Sequence, residues 1–153
     1  MIWLEEYGLG SLPSSYHRPP STWRIDAHES EGADLSGRSV LLVEDEMILA
    51  AEIEHSLEEA GAQVIGPVGR LGDALAIVTT SDERFDAAIL DVDLHGQDVF
   101  PVADVLRDRG IPFLFHTAHG SKAGLKDRYS GAVVCNKPVF SEHLVALVAG
   151  LLE

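Results

Sequence analysis

The sequence predicts an α/β protein with a doubly wound, five-stranded parallel sheet. Two observations predict it. Short apolar runs without two-residue alternation recur from residue 39 onward, as strands buried on both faces require. Between them lie stretches whose apolar residues fall three and four apart, the helical period. A chain of 153 residues, 46% hydrophobic and 24% charged, is long enough for one domain with a core.

The elements read in order as follows. Residues 1–36 sustain no period and include "SLPSSYHRPPST", so they read as an irregular N-terminal arm. The arm carries Trp3, Tyr7, Tyr16 and Trp23, which could dock on the domain or on a partner. The regular domain is expected over 37–153. "SVLLV" (39–43) is the first strand. Leu49, Ile53, Leu57 and Ala60 mark the first helix, which Gly61 ends. "QVIGPV" (63–68) is a weaker strand, and its proline places it at a sheet edge. Leu71, Leu75 and Val78 mark the second helix. "DAAILDV" (86–92) is the third strand. Val99, Val102, Ala103 and Leu106 mark the third helix, with Asp98 as N-cap and Pro101 in the first turn. "PFLFHT" (112–117) is the fourth strand, and a short polar helix covers 121–129. "AVVCN" (132–136) is the fifth strand. Ser141 is expected to cap a last helix carrying Leu144, Leu147, Val148 and Leu151.

In such a sheet, ligands gather at the carboxyl ends of the strands. Four strands here end in reactive residue types. The first ends in Glu44, Asp45 and Glu46; the third in Asp91 and then Asp93; the fourth in Thr117 and Ala118; the fifth in Lys137 and Pro138. Together they predict an acidic pocket flanked by a hydroxyl and an ammonium. Several close carboxylates cannot all stay ionised without help. A hard divalent cation such as Mg²⁺, held by one or two carboxylates plus a phosphate oxygen, supplies it. Asp91 is then a candidate nucleophile forming an aspartyl-phosphate, with metal, lysine and threonine around the transferring group.

The bulk numbers exclude other classes. A formal net charge of −14 argues against nucleic-acid or anionic-membrane partners. One cysteine, Cys135, forbids an internal disulfide and suits a reducing compartment; it reads as a small core residue. "MIWLEEYGLG" has no basic n-region or apolar h-region, and no apolar run approaches the roughly 18 residues that span a bilayer. The expectation is a soluble, cytoplasmic protein. His95, His116 and His119 do not read as zinc ligands, because structural zinc wants four well-spaced Cys or His. Glu46 reads as a solvated residue at a helix start, and His55 and His143 as surface residues.

"VLLVEDE", "ILDVDLHG", "HTA" and "NKP", in that order and spacing, resemble the receiver domain of two-component response regulators. The resemblance covers residues 38–152. It implies the flavodoxin-like (βα)5 fold with strand order 2-1-3-4-5. It implies that Asp91 accepts a phosphoryl group from a phosphohistidine on a sensor histidine kinase or phosphotransfer protein. It implies a Mg²⁺ ion on Asp45 and Asp91, with Glu44 acting through water and the backbone carbonyl of Asp93 as a further ligand. Thr117 and Lys137 would bind the phosphoryl group, the Lys137–Pro138 bond would be cis, and Asp93 and His119 would tune dephosphorylation. Many receivers carry an aromatic switch residue where this chain has Val134. "PFLFHTAHG" is similar to the Phe-Ala-Thr-Gly-Tyr variant of some stand-alone receivers, with His116, Ala118 and His119 as departures.

The resulting expectation is a phosphorylation switch, not an enzyme, with no output domain. Its output would pass by protein contact through the 118–152 face, to a partner or a second copy. Two alternatives remain at this stage. One is an aspartyl-phosphate phosphatase of haloacid-dehalogenase type, from the Asp-x-Asp of "LDVDLHG". The other is a receiver-like module that binds partners without phosphate.

Overall fold

The computed structural model describes residues 32–80, 82–118 and 122–153. The arm through residue 31 and His119 lie outside the described residues.

Among the described residues, seven strands and five helices follow one another: β1 (Ser39–Val43), α1 (Met47–Glu59), β2 (Gln63–Val68), α2 (Leu71–Thr79), β3 (Ala87–Asp91), β4 (Asp93–Leu94), β5 (Gln97–Asp98), α3 (Phe100–Asp108), β6 (Phe113–Thr117), α4 (Lys122–Arg128), β7 (Val133–Asn136) and α5 (Ser141–Leu151). Five strands form one parallel sheet in the order β2-β1-β3-β6-β7. This is the predicted doubly wound order, with β2 and its Gly66–Pro67 bond at the edge.

Alternation along each strand divides the core in two. Val40 and Leu42 of β1, Ala87 and Ile89 of β3, and Leu114 of β6 pack with Ile53 and Leu57 of α1 and Leu144 and Val148 of α5. Leu41, Val43, Ala88, Leu90 and Phe115 pack on the other face with Val78 of α2, Val102 and Leu106 of α3 and Leu125 of α4. Both faces are covered, so the strands read as continuous apolar runs.

The compact unit spans Gly32–Glu153 and so begins before the composition change at residue 36. Leu35 lies in the α1/α5 core, 1% exposed, and its N–H donates to the Ala60 carbonyl at 2.8 Å. A single apolar residue in a polar run carries no period, so the sequence pattern misses it. Leu35→Ala is expected to cost at least about 2 kcal/mol, measured by urea unfolding.

Other sequence expectations need correction at element ends. The N-cap of α3 is Val99 rather than Asp98, because Asp98 pairs with Asp93 in the β4–β5 ribbon. The N-cap of α5 is Phe140 rather than Ser141. Ser141 is instead buried, its hydroxyl hydrogen-bonded to that of Ser56 at 2.6 Å, which ties α5 to α1. The β4–β5 ribbon itself escapes the sequence reading. Its turn is His95-Gly96, with φ of 52° and 83°, the left-handed pair of a type I′ hairpin.

Candidate functional site: an acidic pocket at the topological switch point

The chain leaves β1 for β2 on one side and returns to β3 on the other, so β1 and β3 flank the switch in strand order. Glu44 follows β1, and Asp91 ends β3. Continuing the alternation of Val40 and Leu42, of Ala87 and Ile89, of Leu114 and of Cys135 places Glu44, Asp91, His116 and Lys137 on the α1/α5 side. Four polar residues from four strand ends thus form one row across the sheet.

Lys137 holds that row together. Its Nζ donates to Glu44 Oε1 at 3.1 Å, Asp91 Oδ2 at 3.1 Å and Glu46 Oε1 at 2.9 Å. Glu46 is therefore more than a solvated residue at the start of α1. Its backbone also donates to Glu44 Oε1, at 3.2 Å. The predicted cis Lys137–Pro138 bond is present.

Carboxylate oxygens of Glu44, Asp45, Glu46 and Asp91 all lie within 4.8 Å of one another. Asp45 Oδ2 accepts the His95 N–H at 3.1 Å, and His95 Nδ1 lies 3.5 Å away, so the I′ turn closes over it. Asp93 is exposed. Its Oδ1 accepts the Gly96 N–H at 2.6 Å, and its own N–H reaches Asp91 Oδ1 at 3.3 Å. The Asp93 side chain thus serves the turn. Thr117 is buried, and its hydroxyl donates to the Ala118 carbonyl at 3.1 Å.

The electrostatics are unequal. Burial pushes the Asp91 carboxyl up, and the neighbouring charge and hydrogen bonding of Glu44 add to this; Lys137 offsets part, and the net is about 8. Burial would raise Glu44 too. His116, Asp91, the Glu46 N–H and the Lys137 charge outweigh it and hold Glu44 well below the ordinary carboxylate range. Burial would lower Lys137; its bonds to Glu46 and Asp91 and the charge of Glu44 raise it instead. Two buried carboxyls share one ammonium, so the pair stays ionised at only one member near neutrality.

The donor set fits a hard divalent cation. It offers the carboxylate oxygens of Glu44, Asp45, Glu46 and Asp91. A cleft of about 650 Å³ lined by Glu46, Leu49, His116, Lys137 and Phe140 opens beside the row.

Solved structures place this arrangement. The chain is similar to a response regulator receiver protein from Sinorhizobium medicae WSM419, with 26% identity and a TM-score of 0.67 over 75% of this chain and 94% of that one. It is similar to SdrG from Sphingomonas melonis Fr1, with 38% identity and a TM-score of 0.64 over 76% of this chain and 97% of that one. The chain belongs to the response regulator receiver family. The receiver domain of sensor histidine kinase PA1611 from Pseudomonas aeruginosa PAO1, whose structure has a magnesium ion coordinated in the active site cleft, shares the fold at 23% identity. Its TM-score is 0.64, over 76% of this chain and 98% of that one. No family model matches the sequence, and no curated protein does.

The receiver assignment displaces the haloacid-dehalogenase alternative. The structure brings Glu44, Asp45, Asp91 and Lys137 into one pocket, as predicted. It adds His95 and His116, and it bonds Glu46 to Lys137. Register held the signal for His116: it pairs with Asp91 across β3 and β6.

Proposed function

We propose that this receiver is a phosphorylation switch, not an enzyme, and that Asp91 is its phosphoacceptor. The observation that carries this reading is the Asp91 carboxyl at the switch point, bonded to Lys137 within a cluster of oxygen donors. The donor would be a phosphohistidine on a sensor histidine kinase or phosphotransfer protein. An Asp91 oxygen attacks phosphorus, the P–N bond breaks, and the histidine nitrogen keeps the electron pair.

Asp45, Asp91 and the Asp93 carbonyl would hold Mg²⁺, with Glu44 acting through water. The cation would favour ionised Asp91 and neutralise charge on the transferring group. Lys137 takes one side of that group, and the Thr117 hydroxyl can turn from the Ala118 carbonyl to a phosphoryl oxygen. Met47, Ile48 and Phe140, between 82% and 88% exposed at the N-termini of α1 and α5, offer an apolar rim for the donor protein. Output would pass by protein contact through the surface of α4, β7 and α5. Among the described residues, no helix is long and apolar enough to cross a membrane.

Intact mass after incubation with acetyl phosphate and Mg²⁺ tests the reading. The wild type is expected to gain one phosphoryl group, and to gain none after chelation or as Asp91→Asn. A folded wild type with neither a mass gain nor phosphate release would instead support the phosphate-independent binding module.

A further inference from the structure

His116 is the polar residue of the row that the proposed chemistry leaves unused. Its side chain is 1% exposed. Neither ring nitrogen has a hydrogen-bond partner. Nδ1 faces Glu44 Oε2 at 3.7 Å, too long for a hydrogen bond and within reach of a small shift. A buried imidazole with both nitrogens unpartnered calls for an explanation.

Glu44 supplies one. Its side chain is also 1% exposed, so its charge cannot turn to water. The Oε1 atom takes Lys137 Nζ and the Glu46 N–H. Across Oε2 stands His116. Lys137 has three N–H donors, and three carboxylates already occupy them. A phosphoryl group on Asp91 brings three further acceptor oxygens and draws the ammonium toward itself. Glu44 then keeps its charge beside a new anion while its cationic partner is shared.

We infer that His116 is a positioning residue of this site: on phosphorylation of Asp91 its Nδ1–H closes onto Glu44 Oε2 and holds that carboxylate in place. The inference rests on the phosphoacceptor reading above. The step needs the Nδ1–H tautomer and no change of charge. It also gives the buried imidazole a role: its contact with Glu44, 3.7 Å at rest, shortens to a full hydrogen bond in the phosphorylated state. A donor to a buried carboxylate belongs to the stronger class of hydrogen bonds.

The test uses beryllofluoride, which mimics a carboxylate-bound phosphoryl group, with the full chain at saturating Mg²⁺ and calorimetry as readout. His116→Leu is expected to bind beryllofluoride about tenfold more weakly than wild type. Its stability in metal-free urea unfolding is expected to be equal or higher, since an unpartnered polar group has been removed. His116→Asn, whose amide N–H stands near the place of Nδ1–H, is expected to recover most of the affinity. Equal binding by wild type and His116→Leu would overturn the inference. So would weakened binding that follows lost stability and is not rescued by asparagine. A wild type that binds no beryllofluoride and takes up no phosphoryl group would instead overturn the phosphoacceptor reading itself.

Discussion

Lys137→Ala is expected to lose about 3–5 kcal/mol of stability in metal-free buffer and to lose phosphoryl uptake as well. Lys137 Nζ is the atom that three carboxylates share. Two of those, Glu44 and Asp91, are buried. Removing the ammonium leaves a buried charge without its partner, which costs far more than an exposed ion pair is worth. Urea unfolding with and without Mg²⁺ measures the effect. A divalent cation bound to the same carboxylates should recover part of the loss, by mass action on the folded state. A variant as stable as wild type without metal would mean that the row is held by something other than this ammonium.

Asp91→Asn is expected to work the other way. The raised pKa of Asp91, about 8 in the folded protein against 3.8 for the ordinary group, means that the folded state binds the proton more tightly. Between the ordinary carboxylate range and about pH 8, the folded chain keeps a proton that the unfolded chain has released. Stability must then fall as pH rises through that window. Asparagine removes the proton and the slope together. In metal-free buffer the variant should melt a few degrees above wild type at pH 8, and the gap should shrink toward pH 5. Thermal unfolding of both proteins at the two pH values measures the contribution of Asp91 together with its pairing to Glu44. A constant gap would show that Asp91 titrates normally. Stability gained on deleting the reactive group is the usual mark of a site built for chemistry rather than for folding.

The parallel sheet was legible because its strands are apolar on both faces, and "SVLLV" and "AAILD" are each buried almost throughout. The edge position of β2 followed from one proline. The motifs located Asp91, Asp45, Glu44 and Lys137, because strand-end residues of a doubly wound sheet converge at one rim. Three features were harder to read. The β4–β5 ribbon has two residues per strand, too few for any period. Glu46 looked like helix-start charge, and only the reach of Lys137 from β7 recruits it. His116 sits in a motif where the neighbouring threonine takes the attention. Its burial beside Glu44 depends on register between strands far apart in the chain.

The most direct test of the account locates the phosphoryl group. The chain is incubated with acetyl phosphate and Mg²⁺, reduced with borohydride, which converts an aspartyl phosphate to homoserine, and mapped by peptide mass. One modified residue is expected, Asp91, in the peptide that contains "AAILDVDLHG". Reduction at Asp45 or Asp93 with Asp91 untouched would contradict it.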